Sequence, residues 1–122
     1  MLDLIRLGKS FKYAFKGLFS LIKKEQNFRL HVIAAIVVIF LGIYFEIKLW
    51  QWALIVLAIA GIFILEMLNT VLERMVDMFQ PRIHQYVEEI KDIMSAVVLV
   101  ATIASVAIAL IIFLPYLLEY FT

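Results

Sequence analysis

The sequence predicts an all-α integral membrane protein, with an N-terminal amphipathic surface helix followed by three transmembrane helices. Three observations carry that prediction. Hydrophobic residues fill 66% of the 122 positions, against roughly 45–50% in an ordinary soluble domain. The mean hydropathy is +1.04, and a soluble chain of this size has too little interior to hide so much apolar surface. Three runs also approach the about 20 apolar residues that a helix needs to cross roughly 30 Å of hydrocarbon.

Hydrophobic periodicity and the runs together predict helices over about 2–26, 28–47, 49–79 and 86–120, in a single membrane domain covering 1–122. In the first, Leu4, Leu7, Phe11, Phe15, Leu18 and Ile22 recur every three or four residues and fall on one narrow stripe. Lys9, Lys12, Lys16 and Lys23 gather on a separate flank. Such a helix is expected to lie in the inner interface, its lysines toward anionic membrane lipids or cytosol. Anchoring alone accounts for that arrangement; a sharper reading makes some of these cations ligands for a phosphate-bearing substrate. The "GKS" at Gly8 to Ser10 mimics the end of a phosphate-binding loop, but Asp3 stands where such a loop needs glycine, and no strand precedes it.

The first span runs from about Leu30 to Phe45 and reaches full length only if Phe28 and Ile47 extend its ends. "EIK" then leaves room only for a tight hairpin. The second span, from about Leu49 to Leu68, holds Gln51 and Glu66 as its strongly polar members, and the third, from about Ser95 to Leu118, is uncharged.

Seven of the 11 basic residues precede the first span, three lie between the second and third, and only Lys48 sits in the hairpin. The positive-inside bias therefore predicts a multi-pass protein of the cell (inner, cytoplasmic) membrane, with its N-terminus and second connection cytoplasmic. Trp50, Trp52, Tyr116 and Tyr120 then fall near the outer interface, where amphipathic rings prefer to sit. No secretory signal peptide is expected, because the first 29 residues mix charge with apolar positions. The absence of Cys excludes disulfides and thiolate metal sites. No nucleic-acid partner is expected, since the basic stripe adjoins membrane spans and lacks a fold to present it.

The chemistry concentrates in "EMLNTVLERMVD", residues 66–77, where Glu66, Asn69, Glu73 and Asp77 follow at spacings of three, four and four. At about 100° per residue they stay within roughly 80° of one another, with Thr70 on the same side. If the span starts near Trp50 at the outer surface, Glu66 lies about 24 Å along the axis and Glu73 about 10 Å further, level with headgroups or cytosol. A carboxylate in lipid costs several kcal/mol unless paired, neutralised or coordinated, so Glu66 is a functional candidate by default. It could also simply pair with a lysine of the first helix. Glu25 in "KKEQNFRLH" and Lys91, Asp92 and Ser95 in "KDIMS" stand at the same inner boundary. Oxygen ligands such as Glu25 and Glu73 suit Mg²⁺, which commonly uses one or two carboxylates plus substrate phosphates. Nearby Arg and Lys suit phosphate oxygens. The combination points to chemistry joining a polar phosphate compound to a lipid headgroup.

These residues resemble the prokaryotic diacylglycerol kinase family. "EMLNTVLERMVD", followed 14 residues after Asp77 by "KD", resembles its E-x-x-N-[ST]-x-x-E-x-x-x-D … K-D pattern. "EQNFRLH" resembles the E-x-x-F-R element before its first span, and "YAFKGL", Tyr13 to Leu18, its surface-helix segment. The "EQNFR" form is more similar to the branch that phosphorylates undecaprenol, a polyisoprenoid alcohol, than to the branch preferring diacylglycerol. The resemblance implies a homotrimeric, ATP-dependent lipid kinase that phosphorylates a lipid alcohol. It further implies Glu66 as proton acceptor for the lipid hydroxyl, supported by Asn69 and Ser95, and Glu25 and Glu73 as ligands of the Mg²⁺ accompanying ATP. Arg6, Tyr13, Lys91 and Asp92 would contact nucleotide, and Lys16 would meet phosphate. Two departures stand out: Met94 occupies the position before Ser95 where a small residue is common, and "FQPRIH", bearing Arg82 to His84, differs from the family pattern.

Two rivals come from other classes. A small proton-coupled transporter would use Glu66 to carry protons or bind a cation, but leaves Glu25, Glu73, Asp77 and Lys91 unexplained. A trimeric adaptor would use the charged surface for docking. His31 and His84 are expected to be structural or solvent-facing, Gly42 and Gly61 to be packing points between spans, and the five Met residues to be core filler.

Overall fold

The computed structural model describes residues 3–79, 82 and 84–122, apart from the side chain of His84. The loop expectation for Arg82 to His84 falls at that boundary, since Ile83 lies outside the described residues. Four helices follow in order: α1 (Leu4–Lys24), α2 (Gln26–Tyr44), α3 (Leu49–Asp77) and α4 (His84–Phe121). The last three are long and apolar enough to cross a membrane. The all-helical membrane class expected from the sequence is the class observed, with an amphipathic helix leading it.

Asp3 starts α1, its Oδ1 accepting the Arg6 backbone N–H at 3.1 Å, which satisfies one of the donors a helix leaves free at its first turn. At Glu25 the backbone is extended (φ −109°, ψ 112°), separating α1 from α2. The Arg29 guanidinium spans this break, its Nη1 donating to the carbonyls of Ile22 at 3.0 Å and Lys23 at 2.8 Å. Those carbonyls belong to the last turn of α1, which has no partner of its own. The surface helix is thereby tied to the first span by a side chain of that span.

α2 ends in a cap whose geometry explains the hairpin. The Ile47 N–H bonds the Gly42 carbonyl at 3.2 Å and the Glu46 N–H bonds the Ile43 carbonyl at 3.3 Å. This is the paired pattern of a Schellman cap, whose left-handed position usually holds glycine. Here Glu46 occupies it, at φ 50°. The helix therefore stops at Tyr44, short of the Ile47 end read from hydropathy.

The hairpin end of the bundle holds the main buried cluster of the described chain. Ile47, Ile55, Ile112 and Phe113 are buried together, with Phe45, Trp52 and Tyr116 against them. Gln51 is buried, and its Oε1 accepts from the Tyr116 hydroxyl at 2.8 Å and from the Lys48 N–H at 2.9 Å. This polar residue of the second span is therefore structural. A Cβ on Gly42 would sit 2.6 Å from the Trp52 ring, so α2 and α3 approach here only because position 42 has no side chain. Gly61 differs: an added Cβ there meets nothing within 4 Å, so within this chain it is not the packing point expected. Toward the end away from the hairpin, Phe28 of α2 meets Phe63 of α3 at a centroid distance of 5.3 Å. Most large apolar side chains of the spans face outward, among them Phe40, Leu57 and Val100, as suits helices whose outer surface meets lipid.

Candidate active site

The C-terminal half of α3 gathers polar groups from both neighbouring spans. Glu66 is 4% exposed, and its Oε1 lies 3.0 Å from Nε2 of His31 on α2. Thr70, one turn on, is also buried and donates its hydroxyl to the Glu66 backbone carbonyl at 3.1 Å. The carboxylate of Glu66 itself has no other side-chain partner among the described residues. Asn69 is half-buried, and its Oδ1 is buried without a hydrogen-bond partner among the described residues. Such an oxygen costs roughly 1–3 kcal/mol where it stands, which makes it a candidate acceptor for a ligand's donor.

Further along, Glu73 is half-buried and Asp77 exposed. Lys91 of α4 reaches back to Asp77, Nζ to Oδ1 2.6 Å. Lys91 precedes the apolar run that starts at Ser95, and α4, with 38 residues, is about 57 Å long, far longer than the hydrocarbon is thick. The hydrogen bond to Asp77, helped by the charges of Glu73 and Glu88, holds the Lys91 ammonium above its ordinary range despite the opposing effect of desolvation. Glu25, at the break between α1 and α2, meets Arg74 of α3 at 3.6 Å. Thus α2 contributes His31 to α3, the α1–α2 break contributes Glu25, and α4 contributes Lys91.

A space opens beside this line of groups. A cavity of about 550 Å³ lies between α1 and α3, bordered by Tyr13, Gly17 and Leu21 on one side and Met67, Thr70 and Arg74 on the other. Its size falls in the range of small-molecule sites, and its α3 wall starts at Met67, the residue after Glu66. Arg6 is exposed two helical turns before Tyr13, on the same face of α1. Lys16 borders a different depression, shared with Lys12, Phe15 and Lys23, so it and Tyr13 do not line one wall. Asp92 and Ser95 are exposed on α4 near Lys91. Among the described residues no three His, Cys, Asp or Glu side chains converge as a metal cluster. The two carboxylates Glu25 and Glu73 remain as hard oxygen donors at one end of the bundle.

Two site neighbours escaped the sequence reading. His31, expected to be structural or solvent-facing, is a partly buried partner of the Glu66 carboxylate. Arg74, one of the three basic residues between the second and third spans, pairs with Glu25. A signal for the first existed in the hairpin register. His31 lies 13 residues before the end of α2 at Tyr44, and Glu66 lies 17 residues after the start of α3 at Leu49. In an antiparallel hairpin the four-residue difference is about 6 Å of depth, within reach of the two side chains.

The model of the family described as prokaryotic diacylglycerol kinase matches residues 12–113, which takes in every one of these groups except Arg6. The chain belongs to that family. It is 37% identical over 115 residues to the undecaprenol kinase of Bacillus subtilis, covering 94% of each chain. It is 33% identical over 111 residues to a diacylglycerol kinase of Synechocystis, covering 90% of this chain and 63% of that one. The Escherichia coli diacylglycerol kinase is 28% identical over 101 residues, 83% of each chain. The protein is accordingly a membrane lipid kinase that uses ATP. The transporter reading finds no support in the family.

Proposed function

We propose that this kinase transfers the γ-phosphate of Mg-ATP to the hydroxyl of undecaprenol at the inner face of the cell membrane, as a homotrimer with a cytoplasmic N-terminus and site. The observation that carries the reading is a buried carboxylate, Glu66, held against His31 and carried by the same helix as Met67, Thr70 and Arg74, which line the cavity between α1 and α3. Phosphoryl transfer asks mainly for positioning and charge neutralisation. Glu66 accepts the hydroxyl proton as the alcohol oxygen attacks the γ-phosphorus; the bond to the bridging oxygen breaks and ADP leaves. Asn69 accepts a hydrogen bond through its unpartnered Oδ1, and Ser95 supports the site from α4. Arg6, Tyr13, Lys91 and Asp92 bind nucleotide, with Lys16 on a phosphate.

Glu25 and Glu73 fit Mg²⁺, because two carboxylates plus phosphate oxygens are its usual donor set. Bound there, its chemistry is to offset charge on the phosphates. Support for undecaprenol comes from the relative of that name, which matches this chain nearly end to end, and from the "EQNFR" element. Diacylglycerol is the second reading, favoured by the relatives that carry its name. Both lipids offer one hydroxyl at the interface. A radiolabelled-ATP assay with both in parallel decides: faster labelling of undecaprenol is expected, and exclusive labelling of diacylglycerol would overturn the preference.

A further inference from the structure

Glu66 has an unusual requirement. As a base it must be ionised, and an ionised carboxylate only accepts hydrogen bonds. Buried as it is, it needs a donor, because an unpartnered charge in such surroundings becomes neutral or moves. The donor on the page is His31, 3.0 Å away. Facing an ionised Glu66, the His31 Nε2 carries the hydrogen and binds Oε1, which leaves Oε2 for the acceptor.

The surroundings of the imidazole make this donor hard to replace. Its side chain is 20% exposed, and it borders an intramembrane cavity of about 150 Å³ whose walls include Ala35, Ile55, Ile59 and Phe63. The polar side chains on that wall besides the imidazole are two hydroxyls, Ser105 and Thr102, and that of Thr102 is already donated to the Val98 carbonyl. Water has few partners there to hold it in place of the ring. His31 is also anchored on α2, three residues beyond the buried Phe28 that meets Phe63 of α3, so the distance between the two spans sets the distance between the two side chains.

We propose that His31 is a positioning residue for phosphoryl transfer, holding one carboxylate oxygen of Glu66 so that the other is aimed at the lipid hydroxyl. This rests on the reading of Glu66 as base. Displacing a catalytic group by about 1 Å can cost roughly 10²-fold in rate, and a group acting only through Glu66 alters turnover while leaving substrate binding alone.

The experiment compares His31→Gln, His31→Asn and His31→Leu in mixed micelles with ATP, Mg²⁺ and undecaprenol. The amide nitrogen of Gln reaches the place of Nε2; that of Asn falls one methylene short. His31→Gln is expected to keep kcat within about five-fold of wild type, and Asn and Leu to lose about 10–100-fold, with KM for both substrates within about two-fold. In a Glu66→Gln background, His31→Leu should cost nothing further, because residues acting as one unit are not additive. Equal rates for Asn and Gln, a loss confined to KM, or a full additional loss in the Glu66→Gln background would overturn the proposal. Should the Leu variant misfold, the Asn–Gln contrast decides alone. The two readings fail differently. An active Glu66→Gln enzyme removes the base and the positioning role with it, whereas an inactive Glu66→Gln beside a fully active His31→Leu removes only the positioning role.

Discussion

Glu66 is a costly residue where it stands, since a carboxylate 4% exposed is destabilising by several kcal/mol unless it is paired or neutralised. Selecting such a group for stability alone is poor physics; a role in proton transfer gives it a reason. Glu66→Gln keeps the size of the side chain and removes the base, so turnover is expected to fall about 10²–10⁴-fold while the fold survives in detergent. A rate above about a tenth of wild type in that assay would exclude the role. Lys91 and Asp77 make a different case. Their pair is exposed enough that surface screening limits what it adds to stability. Because the folded ammonium is held above its ordinary range, what its charge contributes is present at neutral pH and lost as the medium becomes alkaline. Lys91→Met is therefore expected to abolish most turnover while shifting the thermal midpoint little, and Asp77→Asn to be milder in both; a stability series run from neutral to alkaline pH should show a small loss in the wild type that is absent from Lys91→Met. The alignment of Glu66, Asn69, Glu73 and Asp77 was legible in sequence because spacing on one helix is local. Their partners were not, since His31 and Lys91 sit on other helices and only packing brings them near.

At the scale of elements, the hairpin shows how small residues set the approach of spans. The Gly42 backbone meets the Trp52 ring so closely that even one methyl group forces a shift, and overpacking of this kind typically costs about 1–3 kcal/mol. Gly42→Ala should be destabilised by that order in denaturant titration of the micellar protein, and the Gly42→Ala, Trp52→Leu double variant by less than the sum of the singles. The cap offers an opposite change. Glu46 adopts a left-handed backbone that costs a side-chain-bearing residue about 1–2 kcal/mol, while glycine loses about 0.5–1 kcal/mol more entropy on folding. Glu46→Gly is thus expected to stabilise the hairpin by up to about 1 kcal/mol in the same titration. The tightness of the turn was readable from the three residues of "EIK". Its location was not, because the glycine that normally announces such a cap is absent and hydropathy runs on through Ile47. The break at Glu25 was equally silent, being held by the Arg29 guanidinium on carbonyls six and seven residues back.

For the whole molecule, the cysteine-free sequence lets single introduced cysteines report orientation cleanly. Glu46→Cys in the hairpin should react with a membrane-impermeant maleimide in intact cells, and Gln85→Cys at the second connection only after permeabilisation; the reverse pattern would place the site outside. The homotrimer should show a protein mass of three times 14.1 kDa by light scattering in detergent. The sequence by itself determined the membrane class, the three spans, the amphipathic leader and the acidic side of α3, since composition and periodicity are properties of each segment alone. Only the tertiary structure decided that His31 meets Glu66, that Arg74 meets Glu25, and that a cavity separates α1 from Thr70. Those facts depend on the relative depth and distance of helices far apart in the chain. That depth comes from packing at the hairpin and at Phe28, which no single segment encodes.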